Sequence, residues 1–202
     1  MSITRVKASS ITQGLSKGKT ALTGNDVILG GSYDAIGTAV VGSGGQSSIT
    51  FSSIPSTYKH LQIRMMVQTN RSSGVGDDIG MTFNSSSTDY YGYHILYGNG
   101  SSAAATDYNI SSYIDLSRFS SQSVQANTFS AGIVDILDYT STNKNKTTRI
   151  LAGYDANGSG VINFGSGLWK PATPVAITSI TLVTLVGTAF NQYSQFDLYG
   201  IK

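Results

Sequence analysis

The chain has 202 residues and a formal net charge of +2, which suits one large domain whose core needs no covalent or metal support. Only 12% of the residues are charged and glutamate does not occur, whereas 30 residues are serine, 21 are threonine and 23 are glycine. This composition disfavours helix, and the lack of cysteine excludes a disulfide framework and a thiolate metal site.

Residues 1–31 are predicted to form an extended N-terminal arm. Glycines interrupt each apolar stretch of this segment, which also holds four basic residues against one acidic residue. We expect the arm to contact a partner protein rather than to build a core of its own. The side chains predicted to anchor it are Ile3, Arg5, Val6, Lys7, Ile11 and Leu15. Because its positive charge is sparse, direct binding to nucleic acid is not expected.

Residues 32–202 are predicted to form an all-β domain, an antiparallel β-sandwich of the jelly-roll kind. The clearest strand covers 60–68, where Leu61, Ile63, Met65 and Val67 alternate with polar residues, as in a strand buried on one face. The other predicted strands cover residues 35–41, 47–54, 78–84, 90–97, 110–116, 127–138, 147–154, 159–165, 177–187 and 193–201. Turn clusters separate these short strands, a pattern typical of sandwiches and jelly rolls.

Catalytic and metal-binding patterns are weak. The two histidines, His60 and His94, have no nucleophile pattern beside them, and Asp77 and Asp78 are expected in a solvated loop before a strand. The segment from Asp155 to Gly160 resembles the start of a calcium loop, but a glutamate-free chain cannot complete that loop, so an Asn-Gly hairpin turn is the better interpretation. We therefore predict a protein that is not an enzyme and has no metal or cofactor.

Aromatic residues supply the second group of candidate binding residues. They are Tyr90, Tyr91, Tyr93, Tyr97 and Trp169. Rings of this kind anchor protein interfaces or stack on sugars. A structural or subunit-interface role is favoured over the recognition of a saccharide.

The stretch SITFSSIPSTYKHLQIR, from Ser48 to Arg64, resembles a pattern found in virion proteins of tailed bacteriophages. The preceding YDAIGTAVVGSGGQS, from Tyr33 to Ser47, belongs to the same recurring unit. The resemblance implies a structural β-module of the virion, commonly a homotrimer that binds the major capsid protein or other virion proteins.

From these observations we predict a capsid decoration, or cement, protein that stabilises the phage head through protein–protein contacts. It would be assembled in the host cytoplasm and reside in the virion, since no apolar run approaches the roughly 20 residues of a membrane span. Two alternatives stay open at this point. One is a tail-fibre or receptor-binding knob that recognises host saccharide, and the more remote one is a polysaccharide-cleaving depolymerase.

Overall fold

The computed structural model describes residues 32–202 of the chain. The predicted arm, residues 1–31 with its six anchoring side chains, lies outside the described residues. Within residues 32–202 all regular structure is strand, so the prediction of an all-β body is confirmed. That part of the chain has no helix that is long and apolar enough to cross a membrane.

Twelve strands make up the described body. They are β1 (Tyr33–Val40), β2 (Ser48–Phe51), β3 (His60–Thr69), β4 (Asp77–Phe83), β5 (Tyr90–Gly98), β6 (Ala103–Ser111), β7 (Ile114–Ser121), β8 (Ser130–Ile136), β9 (Lys146–Asp155), β10 (Gly160–Lys170), β11 (Ile180–Thr184) and β12 (Gln195–Ile201).

Hydrogen bonds connect all twelve strands into one mixed sheet with two antiparallel parts. The eight-strand part has the order β1-β12-β3-β8-β9-β10-β5-β6, and the four-strand part has the order β2-β11-β4-β7. A short parallel pairing joins them, in which Gln68 and Thr69 of β3 lie beside Ser120 and Ser121 of β7. The sheet is therefore mixed, whereas the sequence predicted a purely antiparallel arrangement.

The hydrophobic core lies where the inner face of the eight-strand part packs against the four-strand part. Aromatic rings cross this boundary: the ring centroids of Phe83 (β4) and Trp169 (β10) are 5.3 Å apart. The hydroxyl group of Tyr91 (β5) accepts a hydrogen bond from the backbone N–H of Phe83 at 3.1 Å. The inward face predicted for β3 is confirmed, because Leu61, Ile63, Met65 and Val67 are all buried, whereas Gln62 and Gln68 on the opposite face are buried too, against the prediction of a strand buried on one side.

Two local predictions are wrong. The predicted strand 110–116 spans the end of β6, a turn and the start of β7, and β6 itself was not predicted. Asp77 and Asp78 belong to β4 rather than to a solvated loop, and the Asp77 carboxylate is fully buried. It accepts hydrogen bonds from the backbone N–H groups of Val186 and Gly187, at 3.1 and 2.9 Å, and so holds the turn after β11.

The hairpin turn predicted at Asn157-Gly158 is confirmed. It joins β9 to β10, and both of its central residues have positive φ angles, 57° for Asn157 and 99° for Gly158. Those angles are typical of a tight two-residue turn, which favours asparagine and glycine. The Asp155 carboxylate accepts a hydrogen bond from the Asn157 N–H at 2.8 Å and orders the turn.

Candidate protein-binding surface

The outer face of the eight-strand part, which points away from the core, carries large apolar side chains. Six of them on β3, β5, β8, β9 and β10 are between 40% and 61% exposed: Met66, Leu96, Ile133, Leu151, Ile162 and Phe164. Single exposed apolar residues are normal on a protein surface, but a contiguous group marks an interaction site. The arrangement of these six therefore decides whether the face is a candidate site.

Strand register places four of them side by side. Ile133 pairs with Leu151, Leu151 pairs with Phe164, and Phe164 pairs with Leu96. Side chains directly opposite each other on neighbouring strands are about 5 Å apart, so these four form one continuous row across β8, β9, β10 and β5. We call it the apolar row.

A shallow groove lies beside the apolar row. The next line of paired residues runs from Met66 through Ala131 and Gly153 to Ile162, so two small residues lie between two large ones. The depression here has a volume of about 710 Å³. A residue with a side chain cannot replace Gly153 without a clash, because its Cβ atom would lie 2.8 Å from the Val161 carbonyl oxygen. The groove is thus open to an apolar side chain from a partner.

Charged groups border the apolar row on its other side, and they pair within the chain. The Asp135 carboxylate accepts hydrogen bonds from the Arg149 guanidinium at 2.6 Å and from the Gln62 side-chain amide at 2.7 Å. Arg64 donates to Gln62 and lies over the rings of Tyr33 and Tyr199. These bonds fix the border and leave it close to electrically neutral.

Two of the predicted aromatic residues are core residues. Tyr91 and Trp169 are 0% and 1% exposed, and their rings stack with centroids 6.5 Å apart. The Trp169 indole N–H donates to the Asp89 carboxylate at 2.9 Å. Lys146, itself buried, lies against the same indole ring, and burial lowers the pKa of its ammonium group. The prediction is corrected accordingly: neither aromatic residue presents a surface to a ligand or subunit.

The other three predicted aromatic residues are partly accessible but do not share one face of their strand. Tyr90 lies on the outer face of β5, where Lys170 approaches its ring. Tyr93 and Tyr97 alternate with the outward residues and face inward, and the ring of Tyr93 stacks on that of Tyr108. The side chains of Tyr93 and Tyr97 therefore point away from the apolar row, although both residues lie on β5, the strand that carries Leu96.

The apolar row was missed although the sequence contains a signal for it. Four strands carry an adjacent pair of apolar residues, one for each face: Ile95-Leu96, Ile133-Val134, Ile150-Leu151 and Val161-Ile162. Such pairs are typical of strands covered on both faces, whereas a strand with one solvated face alternates. The signal becomes interpretable only when the register shows that these pairs are neighbours.

Comparison with models of protein families, with curated proteins and with solved structures found no match to this chain.

Proposed function

We propose that this chain is a structural protein of a tailed-phage virion that associates with copies of itself through the apolar row and the adjacent groove. The observation that carries the self-association is the contiguity of Ile133, Leu151, Phe164 and Leu96 on an exposed sheet face, and the virion assignment depends on the resemblance of residues 33–64. Covering these half-exposed side chains would remove further apolar surface from water, at roughly 25 cal/mol per Å², and would therefore favour association.

A second copy is the occupant that the charges favour. A partner recognised by charge would need a cluster of unpaired charged groups beside the apolar row, but Asp135 is bonded to Arg149 and to Gln62, and the exposed Asp107 lies apart on the edge strand β6. A neutral apolar row is complementary to the neutral apolar groove of another copy. The resemblance of residues 33–64 to phage virion modules supports a trimer, in which the apolar row of each copy would pack against the groove of the next copy.

Within the virion we propose the role of a capsid decoration protein. The arm would bind the major capsid protein through Ile3, Val6, Ile11 and Leu15, with Arg5 and Lys7 adding weak electrostatic attraction. The packing of the eight-strand part on the four-strand part supports the finer fold proposal, a jelly-roll-like sandwich. A rigid body with a separate anchoring arm suits a protein that bridges capsid subunits.

The test is to change the apolar face and measure the molar mass in solution. Each chain has a mass of 21.3 kDa, so we expect the wild-type protein to elute with three times that mass in size-exclusion chromatography with light scattering. Ile162→Lys should reduce the mass to that of a single chain, because an ammonium group would be buried without a partner in the interface.

Val186→Lys is the matched control. Val186 is also β-branched and its exposed fraction, 59%, is close to the 61% of Ile162, but it lies after β11, away from the outer face. Its variant should keep the wild-type mass. A wild-type protein that is monomeric at micromolar concentration, or an Ile162→Lys variant that still associates, would overturn the proposed interface.

A further inference from the structure

A second surface feature lies on the inner side of the eight-strand part, where β4 and β7 of the four-strand part border it. Two cavities of about 350 and 180 Å³ share Tyr97, Arg118 and Val161 as lining residues and so form one cleft. The larger volume falls within the usual range for small-ligand sites. Tyr154, at the end of β9, also lines the larger cavity. We call this feature the tyrosine cleft.

Two carboxylates line the smaller cavity of the cleft, Asp78 from β4 and Asp115 from β7. The Arg118 guanidinium lies between the cavities, with its Nε atom 3.9 Å from an Asp78 carboxylate oxygen. Burial and, less strongly, the neighbouring Asp78 charge raise the pKa of Asp115 to about 7. The cleft therefore presents hydrogen-bond donors and acceptors with little net charge near neutral pH.

The backbone beside these groups departs from regular strand geometry, and hydrogen bonds hold it in that conformation. The register of β4 on β7 shifts between Asp78 and Gly80, and Ser117 has a φ angle of 67° although it is buried. The Ser117 N–H donates to the Asp115 carboxylate at 2.7 Å, and its hydroxyl group donates to Asn163 at 2.9 Å. Bulges and strained residues of this kind are concentrated at functional sites.

The chemistry of the cleft narrows the class of ligand. A phosphorylated or acidic ligand would meet two carboxylates and one cation, so it is disfavoured. A metal ion is disfavoured because the Arg118 guanidinium occupies the same space, and the described residues contain no group of three metal-ligating side chains. Tyrosine rings beside carboxylate, guanidinium and amide groups suit a molecule with apolar C–H faces and many hydroxyl groups.

We infer that the tyrosine cleft binds a neutral oligosaccharide. A sugar ring would lie against Tyr97 and Tyr154. Its hydroxyl groups would donate to the Asp78 carboxylate and accept hydrogen bonds from Arg118. This binding activity goes beyond the proposed assembly role and does not depend on it, because Asp78 and Arg118 belong to the four-strand part and line neither the apolar row nor the groove.

The experiment is a titration of the full chain with maltohexaose, cellohexaose, chitohexaose and mannohexaose, followed by NMR of the ¹⁵N-labelled protein. We expect at least one of the four to shift the amide signals of Tyr97, Arg118 and Tyr154, with millimolar or tighter affinity. Asp78→Asn and Tyr154→Ala should each weaken that binding at least tenfold. Asp107→Asn, which changes an exposed carboxylate on the outer face of β6, should bind like the wild type.

The map of shifted signals keeps the inference testable even if a variant fails to fold. Shifts confined to residues outside the cleft, or no binding of any of the four sugars, would overturn it. The same titration with the Ile162→Lys variant should give unchanged affinity. An Ile162→Lys variant that still binds sugar but does not associate would separate the two proposals. The molar mass tests the self-association, and the titration tests the sugar binding.

Discussion

At the scale of single residues, the ionisation of the Asp115 carboxyl group is costly to the fold. Burial raises the pKa of its carboxyl group to about 7, and the charge of Asp78 adds to the effect, while the Ser117 N–H and Arg118 oppose it. Since the pKa in the unfolded chain is near 3.8, the folded state holds the proton more tightly. Stability from this group is fully present below about pH 4 and is lost as the pH rises through about 7.

Asp115→Asn should remove the loss of folding stability that accompanies ionisation of this carboxyl group. We expect the variant to gain roughly 2 to 4 kcal/mol in free energy of unfolding at pH 8 relative to the wild type, with a much smaller difference at pH 4, because one pKa unit corresponds to about 1.4 kcal/mol. Asparagine keeps an oxygen that can accept the Ser117 N–H. The measurement is urea unfolding between pH 4 and pH 8.

The exposed carboxylate of Asp107 provides the comparison, and Asp107→Asn should leave the pH profile unchanged. Because the charge of Asp78 raises the pKa of Asp115, the protonation of Asp78 affects the titration of Asp115 and the transition should be broad. The prediction is wrong if the free energy of unfolding changes with pH in the same way for Asp115→Asn and for the wild type. The Asp115 carboxyl group would then be more exposed to water than its buried position indicates.

At the scale of strands, sequence patterns predicted those elements whose side chains alternate in character. β3 was placed correctly because Leu61, Ile63, Met65 and Val67 face one side. β6 was missed because its Ala103-Ala104-Ala105-Thr106-Asp107 segment has no apolar period. It forms a strand through its backbone pairing with β5, from Gly98–Ala103 to Tyr91–Ser111, which no local pattern encodes.

The candidate sites were harder to predict than the strands. The apolar row and the tyrosine cleft each combine residues from four or more strands, including pairs such as β5 and β10 that are far apart in the sequence. Composition identified the aromatic residues but not their orientation, so Tyr97 and Trp169 received the same prediction although one lines a cleft and the other is buried. Register decides these outcomes, and it depends on the whole sheet.

The position of β3 inside the sheet also changes what its polar residues do. Gln62 alternates with the apolar residues, so the pattern predicts an outward and tolerant position, but Gln62 is only 7% exposed. Its amide donates to Asp135 and accepts from Arg64. Gln62→Asp should therefore lower the free energy of unfolding by about 1 to 3 kcal/mol, because a second carboxylate would replace the donor beside Asp135.

Thermal unfolding checks this expectation. Gln122→Asp is the control, since Gln122 is exposed in the turn after β7 and should tolerate the change within about 0.5 kcal/mol. If both variants melt at the wild-type temperature, the hydrogen-bonded border of the apolar row contributes little to stability.

At the scale of the whole molecule, the described body contains a complete core within residues 32–202. We expect deletion of residues 1–24 to leave the melting temperature within a few degrees of the wild type. Attachment to phage particles should fall sharply, because the predicted anchors Ile3, Val6, Ile11 and Leu15 would be lost. The measurement is the number of bound copies after washing, together with antibody labelling of the particles.

Charge reversal at Arg5 and Lys7 should weaken attachment less than the deletion does, since exposed ion pairs contribute under about 1 kcal/mol each. Antibody labelling over the head would agree with a decoration protein. Full occupancy by the truncated chain would refute the anchoring role, and labelling restricted to the tail would favour the receptor-binding alternative.

The place of β12 in the sheet has a consequence for how the chain reaches its folded state. β12 lies between β1 and β3, and it pairs with both of them, from Tyr33–Ile201 on one side to Ile201–His60 on the other. β12 leaves the ribosome after the other eleven strands, so the edges of β1 and β3 that pair with it stay unpaired until β12 has been translated. The sheet should accordingly be completed slowly and only after β12 has been translated, with a period in which exposed edges are open to pairing with other chains.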